Sequence, residues 1–353
     1  MHALFEMKEV DKIFYEQKLK HFLPDRMIDI HTHVWLDNIR LEAPGAPVRA
    51  VTWPSLVARD NSIADLFKTY EVMFPGKEVT PLIFSQVSLQ YDIAAGNEYV
   101  RSCAERYKLP SLMVTRPQQS AAEFEEGIDR GGFLGCKVYL NFADPYIPEK
   151  EIRIYDFLPP HQLDVLNRRG WMVMLHIPRD GRLKDPVNLA QMLEIERKYP
   201  AVKLIIAHVG RAYCPEDVGD AFDLLAETKN MVFDFSANTN SHVFRELVKA
   251  VGPKRILFGS DLPIVRMRMK RYCENGRYVN VVPKGLYGDV SGDPNMREAE
   301  EREAEELSFF MYEEIDAFRV AAEAEGLTRR DVEDIFYANA KTLIDQIEKE
   351  RRR

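Results

Sequence analysis

The chain has 353 residues, of which 46% are hydrophobic and 29% charged, and its formal net charge is -8. This apolar content is enough for one large core and excludes a disordered chain. The acidic balance argues against nucleic-acid or anionic-membrane binding, and no stretch has the roughly 18 apolar residues of a membrane span. We therefore expect a cytoplasmic protein that acts on a small molecule, because the charged N-terminus also differs from a signal peptide.

Eight short apolar runs recur along the chain, beginning at residues 27, 81, 111, 135, 171, 203, 231 and 255. Segments of helical period lie between them, at 97–108, 120–130, 160–169, 188–199, 215–228 and 241–251. Apolar strands that alternate with amphipathic helices are typical of a parallel sheet covered by helices. Eight such units predict an α/β fold of the closed (β/α)8 barrel type. An open doubly wound sheet is the alternative, but the chain has no G-x-G-x-x-G turn.

Several segments depart from this repeat. Residues 1–23 predict an amphipathic helix before the first strand, and 36–61 and 266–295 predict long loops after strands one and eight. An acidic run from Glu298 predicts a helix that continues to about Glu325, followed by C-terminal helices. All of this is expected to form a single domain over residues 1–353, with both long loops at the end of the barrel that carries active sites.

The stretch R-M-I-D-I-H-T-H-V-W places His31 and His33 two residues apart at the end of the first apolar run. Side chains alternate along a strand, so these two imidazoles point to the same side. Three later runs also end in a ligand-type residue, namely His176, His208 and Asp261. A barrel gathers the C-terminal ends of its strands at one mouth. The five side chains are therefore expected to meet.

Imidazoles grouped with a carboxylate suit a divalent ion that keeps one position open for water. Such an ion lowers the pKa of bound water to about 7. A further histidine outside the ligand set could then hold or transfer a proton. The pattern predicts one divalent metal ion, with zinc as the leading choice and manganese as the alternative.

These residues resemble those of a known family. The H-x-H on strand one, the histidines on strands five and six and the aspartate on strand eight are similar to the amidohydrolase superfamily of metal-dependent barrels. G-S-D-L-P, A-H-V-G-R, G-F-L-G-C-K and Y-A-N-A-K-T-L resemble its amidohydrolase-2 branch, which includes hydrolases and aminocarboxymuconate-semialdehyde decarboxylase. The resemblance covers residues 27 to about 345 and specifies no substrate.

The resemblance implies a set of metal ligands, which are His31, His33, His176 and Asp261. It implies His208 and Asp261 as the catalytic residues. Lys137 on strand four leaves an alternative open: in binuclear members a carboxylated lysine bridges two metals, and His208 would then be a ligand. Asp29 and Asp234 are expected to orient the metal-bound imidazoles or to pack between the strands rather than to act in catalysis.

Three arginines are candidates for binding a substrate carboxylate, because a guanidinium group can make a two-pronged contact with it. Arg179 and Arg211 each follow a site histidine by three residues, and Arg266 lies in the loop after strand eight. A structural salt bridge is the alternative for each. Trp35 and Trp53 are candidates for lining the pocket, with local packing as the alternative.

The chain contains four cysteines, Cys103, Cys136, Cys214 and Cys273, and no C-x-x-C pair. This spacing indicates neither a thiolate zinc site nor a disulfide framework, so free thiols are predicted.

The leading functional hypothesis is a metal-dependent hydrolase that attacks a small, carboxylate-bearing substrate with metal-activated water. The main alternative is a nonhydrolytic metal-dependent decarboxylase that uses the same site. A third hypothesis is a metal-free barrel that only binds a small molecule. The resemblance also implies a homodimer.

Overall fold

A computed structural model describes residues 4–41 and 54–351 of the chain, and every predicted strand is present in it. The barrel strands are Arg26–His33 (β1), Glu78–Phe84 (β2), Met113–Val114 (β3), Gly135–Val138 (β4), Met172–Leu175 (β5), Lys203–Ile206 (β6), Val232–Asp234 (β7) and Ile256–Leu257 (β8). The β1–β2 pair and the consecutive pairs from β3 to β8 are all parallel.

Short contacts join the β1–β2 pair to the six-stranded sheet and close the ring. Ile83 in β2 forms a parallel bridge with Ser111, just before β3. Thr32 in β1 forms a parallel bridge with Leu262, beyond β8, and the His33 backbone N–H donates to the Leu262 carbonyl at 2.9 Å. The predicted (β/α)8 barrel is confirmed.

Helices cover the outside of the barrel. They are Ile63–Met73, Ile93–Tyr107, Ala121–Gly131, Pro160–Arg169, Pro186–Lys198, Ala221–Ala226 and Ser241–Val251. Most match the predicted segments closely, but 215–228 is a 3-10 turn, Pro215–Asp217, followed by a short helix. The strands are buried on both faces, which explains why their sequences are apolar throughout rather than alternating.

The N-terminal segment forms a helix, Glu9–Phe14, that continues as a π-helical turn, Tyr15–Leu19. The predicted loop at 36–61 contains a 3-10 turn, Asp37–Ile39, and a short helix, Pro54–Val57. Trp53 lies outside the described residues.

The prediction of a loop over 266–295 is wrong. Lys270–Glu274 (β9) and Arg277–Val282 (β10) form an antiparallel hairpin, and Met296–Glu298 (β11) pairs in parallel with β10. The hairpin turn is Asn275-Gly276, and both residues have positive φ. An N-G pair between two strands is a strong hairpin signal, so the sequence carried this information.

The predicted single helix from Glu298 to about Glu325 is instead two helices, Glu301–Glu306 and Phe310–Ala324. The break occurs because the intervening backbone binds elsewhere: the Ser308 carbonyl accepts from Met269 N–H at 2.9 Å. The chain then ends with Arg329–Glu333, a π-helical turn Asp334–Ala338 and Asn339–Arg351. None of the helices in the described ranges combines the length and apolar character that a bilayer crossing needs.

The prediction of four free thiols is also wrong. Cys214 and Cys273 form a disulfide with a Cα–Cα distance of 5.7 Å, whereas Cys103 and Cys136 are free and buried. The two partners are 59 residues apart in sequence. They become neighbours only because β9 folds over the segment after β6.

A buried ion pair joins the N-terminal helix to the segment after β8. The Arg268 guanidinium makes two contacts with the Asp11 carboxylate, at 2.9 and 2.6 Å, and the Asp11 side chain has no exposed surface. The Ser308 hydroxyl donates to the same carboxylate at 2.8 Å. Three distant segments therefore depend on one carboxylate.

We predict that Asp11→Ala lowers the free energy of unfolding by about 3–5 kcal/mol, because it leaves Arg268 buried without its partner. Urea denaturation followed by circular dichroism measures the change. Glu9→Ala, on the same helix but in an exposed pair with Lys12, should change it by less than about 1 kcal/mol. Equal losses in the two variants would contradict the prediction.

Candidate metal centre

The five predicted side chains all lie at the C-terminal end of the barrel strands. They are His31 and His33 at the end of β1, His176 after β5, His208 after β6 and Asp261 after β8. All five are buried, with no more than 8% of any residue's surface exposed.

His31 and His33 converge on one carboxylate. Each presents its Nε2 atom 3.3 Å from the same Asp261 Oδ1. Two ligands held 2.0–2.2 Å from one tetrahedral ion lie roughly 3.3–3.5 Å apart. The spacing therefore fits atoms that share a metal ion.

Asp234 sets the orientation of His31. Its Oδ2 lies 3.0 Å from His31 Nδ1, and its Oδ1 accepts from the backbone N–H groups of His208 and Ser236 at 2.9 and 3.1 Å. Since a carboxylate accepts, His31 carries its proton on Nδ1, and its Nε2 is left as the metal-binding atom.

Backbone carbonyls orient two further imidazoles in the same way. His33 Nδ1 donates to the Ser85 carbonyl at 3.0 Å, and His208 Nδ1 donates to the Ser236 carbonyl at 3.1 Å. Ser236 was not predicted as part of the site. It lies two residues after Asp234 at the end of β7, so strand alternation could have identified it.

His176 lies beside His208. Its ring centroid lies 4.6 Å from that of Tyr139 and 5.3 Å from that of His208. Its Nδ1 is buried and has no hydrogen-bond partner among the described residues. Ligand atoms of His31, His208 and Asp261 also lie within 4.8 Å of one another. The convergent atoms of His31, His208 and Asp261 fit a divalent ion, whereas His176 is placed next to them by its ring contact with His208.

The electrostatics keep these ligands in their metal-binding forms. Burial, with the charge of Lys137, lowers the pKa of His31 to about 4, so the imidazole is neutral at pH 7. Burial opposes ionisation of Asp261, but the imidazoles of His31, His33 and His208 lower its pKa to about 2. The result is a neutral His31 imidazole beside an ionised carboxylate, the chemistry that divalent metals bind.

The family model described as "Amidohydrolase" (Amidohydro_2) matches residues 28–345. The chain belongs to the amidohydrolase family. Members of this family are metal-dependent, in agreement with the site described above. No curated protein matches the chain.

Solved structures with a similar fold include an amidohydrolase 2 and two decarboxylases. An amidohydrolase 2 from Bifidobacterium longum subsp. infantis shares 17% identity at a TM-score of 0.53 and covers 91% of this chain and 99% of its own. A dihydroxybenzoic acid decarboxylase from Polaromonas sp. JS666, with bound manganese and the inhibitor 2-nitroresorcinol, shares 16% identity at a TM-score of 0.53. The match covers 91% of this chain and 97% of that one. A 5-carboxyvanillate decarboxylase from Sphingomonas paucimobilis shares 11% identity at a TM-score of 0.54. The match covers 91% of this chain and 99% of that one. At these identities the likeness shows the fold alone.

Lys137 contacts the ligand group of this amidohydrolase. Its Nζ lies 3.2 Å from His31 Nε2, and only 1% of the residue is exposed. Burial lowers its pKa to about 8, although the charges of Asp261 and Asp234 oppose this. The side chain therefore reaches the ligand group, as the binuclear alternative requires.

The backbone is strained at two of the five clustered histidine and aspartate residues. His208 and Asp261 have φ values of 56° and 70°, in the left-handed region that costs most residues roughly 1–2 kcal/mol. Hydrogen bonds hold both in place: His208 N–H donates to Asp234, and Asp261 N–H donates to the His31 carbonyl at 2.8 Å. Strain of this kind is typical of functional sites.

Asp29 supports the site through the backbone rather than through an imidazole ring. Its Oδ1 accepts from the N–H groups of His31 and Ser260 at 3.2 and 2.9 Å, and its Oδ2 accepts from the Tyr70 hydroxyl at 2.8 Å. Burial raises its pKa to about 7. Asp29 thus ties β1 to the residue that precedes Asp261.

The predicted arginines have different surroundings. Arg179 forms an ion pair with Asp185, Nε to Oδ1 at 3.0 Å. Arg266 is 6% exposed, and its Nη1 lies 3.4 Å from the Thr69 hydroxyl on the helix that follows β1. These contacts are structural and do not involve the histidine group.

Arg211 is the predicted arginine whose charge acts on a site histidine. Burial lowers the pKa of His176, and the charge of Arg211 lowers it further. Burial raises the pKa of Tyr139, and the charge of Arg211 opposes this rise. Its Nη1 donates to the Pro178 carbonyl at 2.8 Å, and it forms no ion pair with a described carboxylate. Trp35, by contrast, donates to the Arg59 carbonyl at 2.9 Å, which is local packing.

We predict that the buried His31 imidazole makes metal-free wild-type protein lose stability, relative to a His31→Gln variant, as pH falls from about 6.5 to about 4. In this window the unfolded chain takes up protons on histidines that the folded site keeps neutral, so the unfolded state is favoured. His31 alone contributes up to about 1.4 kcal/mol per pH unit. Urea midpoints measured across this range test the prediction. The free energy of unfolding of the wild type should fall relative to that of His31→Gln across this range, and His161→Gln, at an exposed position, should follow the wild type. Parallel wild-type and His31→Gln profiles would contradict the prediction.

Proposed function

We propose that the chain is a metal-dependent hydrolase that acts on a small, carboxylate-bearing substrate. The convergence of His31 and His33 Nε2 on Asp261 Oδ1, each at 3.3 Å, carries this proposal. The proposed metal ligands are His31, His33, His176 and Asp261. They would hold one divalent ion, zinc or manganese. When bound, that ion supplies a Lewis acid that polarises a substrate carbonyl and lowers the pKa of water.

His208 is the proposed general base. Its Nδ1 proton is donated to Ser236, so the Nε2 lone pair is free to accept a proton from water. Burial lowers the pKa of His208, which keeps the ring neutral and able to accept at pH 7. Asp261 is ionised and offers a second site for proton transfer.

Arg211 is the proposed carboxylate-binding residue. It carries its charge beside His176 and Tyr139 and is free of a described ion-pair partner. Arg179 and Arg266 are weaker candidates, because the first is paired with Asp185 and the second lies against Thr69.

Decarboxylation is the second candidate, with the same ligands and with arginine holding the departing carboxylate. It is favoured by the solved structures of similar fold described as decarboxylases of dihydroxybenzoic acid and 5-carboxyvanillate. We further propose a single domain over residues 1–353 and a cytoplasmic homodimer that binds no nucleic acid and no membrane, in line with the net charge of -8 and the family.

Metal content is the first test. Protein purified without chelator or histidine tag should contain close to one equivalent of zinc or manganese per chain by elemental analysis. His31→Ala should lose it, because one of the convergent Nε2 atoms is removed, whereas His242→Ala at an exposed position should keep it. Two equivalents would place Lys137 and His208 among the ligands. No metal, even after metal is offered, would favour the metal-free hypothesis.

The reaction type is the second test. Esters, amides and lactones that carry a carboxylate, together with aromatic carboxylic acids, should be screened in ¹⁸O-labelled water for labelled product and for released carbon dioxide. We expect labelled product without carbon dioxide, and a loss of about 10²–10⁴-fold in kcat for His208→Ala. Arg211→Met should mainly raise KM. Carbon dioxide release without label would establish the decarboxylase instead.

A further inference from the structure

The Ser236–Ala237 peptide unit contacts the His208 ring and is itself bound by a residue outside the eight strands. The carbonyl of Ser236 accepts from His208 Nδ1 at 3.1 Å, and the Ser236 hydroxyl lies 2.9 Å from the same atom. The N–H of the same peptide unit belongs to Ala237, and it donates to Glu314 Oε2 at 2.6 Å. Glu314 is on the helix Phe310–Ala324, which follows the barrel.

The next peptide unit is held as well. Arg271 in β9 donates from Nη1 to the Ala237 carbonyl at 2.7 Å and from Nε to the Asn280 side chain at 2.8 Å. Ala237 has a φ of 48°, a conformation that alanine rarely adopts. Glu314 therefore binds the N–H of Ala237 and Arg271 binds its carbonyl. Together they prevent the left-handed backbone at Ala237 from relaxing.

The surroundings of Glu314 and Arg271 indicate that both contacts have a role. Glu314 has no exposed surface, and its other oxygen, Oε1, has no hydrogen-bond partner among the described residues. Arg271 is stacked against three aromatic rings, which are those of Tyr213, Tyr278 and Phe310, at 4.5–4.8 Å. A buried carboxyl with an unpartnered oxygen is costly, so its presence here calls for a role.

We propose that Glu314 is a positioning residue that fixes the tautomer and direction of the His208 ring through the Ser236–Ala237 peptide. An acceptor on the N–H side of a peptide polarises it and strengthens the hydrogen bond accepted by its carbonyl. That carbonyl then keeps the proton on His208 Nδ1 and leaves Nε2 bare. The functional meaning of this arrangement rests on the proposed function, in which His208 Nε2 accepts a proton.

The surroundings favour a neutral Glu314 side chain. Burial raises its pKa well above the ordinary value, and the charges of Asp29, Asp234 and Asp261 add to this, while the Ala237 N–H opposes it. A neutral amide of the same shape can therefore replace it. In Glu314→Gln the carbonyl oxygen of the amide faces Ala237 N–H, whereas Glu314→Met fills a similar volume without an acceptor.

Nuclear magnetic resonance of metal-free protein labelled with ¹⁵N in histidine tests the proposal, since two-bond H–N correlations report which ring nitrogen carries the proton. The His208 signal is assigned by its loss in His208→Gln. We expect the Nδ1–H form in the wild type and in Glu314→Gln, and averaged nitrogen shifts in Glu314→Met. His33, whose Nδ1 donates to Ser85 instead, serves as the internal control and should not change.

A wild-type His208 signal in Glu314→Met, with His33 unchanged, would overturn the proposal. If Glu314→Met does not fold, Glu314→Leu, which also removes the acceptor, is measured in its place: averaged His208 nitrogen shifts with an unchanged His33 signal support the proposal, and a wild-type His208 signal overturns it. On an established substrate, Glu314→Met should lower kcat by about 10–100-fold with KM nearly unchanged, and Glu314→Gln should lie within about threefold of wild type. Failure to find any substrate would count against the proposed function and leave the tautomer result intact.

Discussion

The Asp234 carboxylate is the interaction on which the rest of the site depends. It accepts from the His31 ring, from the His208 backbone and from the Ser236 backbone, and so joins the ends of β1, β6 and β7. A buried carboxylate is unfavourable unless hydrogen bonds compensate it. Here the same hydrogen bonds that stabilise the charge also set the imidazole tautomer and the left-handed turn at His208. Folding and metal binding therefore require the same arrangement of atoms.

The site places anions and cations around neutral imidazoles. Asp234 and Asp261 are ionised, whereas Lys137 and Arg211 bring positive charge close to His31 and His176. Burial, helped by these cations, lowers the pKa values of His31 and His176 and keeps their imidazoles unprotonated, as metal ligands must be. It also leaves a cationic side chain near the mouth, which suits an anionic substrate for either hydrolysis or decarboxylation.

Segments outside the eight strands stabilise the backbone next to the site. The Arg268–Asp11 pair fastens the N-terminal helix to the start of the sheet formed by β9–β11. That sheet supplies Arg271, and the helix Phe310–Ala324 supplies Glu314, to one residue beside the site, Ala237. The C-terminal part of the chain is therefore more than a cover for the barrel, because it holds the backbone that orients His208.

The sequence by itself determined the eight strands, most of their helices, and the burial of His31, His33, His176, His208 and Asp261 at one end of the barrel. These follow from local patterns, namely apolar runs, helical period and the residue type at each strand end. Only the tertiary structure decided which acceptor each histidine Nδ1 contacts. It also decided the pairing of Cys214 with Cys273 and the hydrogen bonds of Glu314 and Arg271 to Ala237. Such contacts join segments tens to hundreds of residues apart. They depend on where the closed barrel brings its loops together, which no local period encodes.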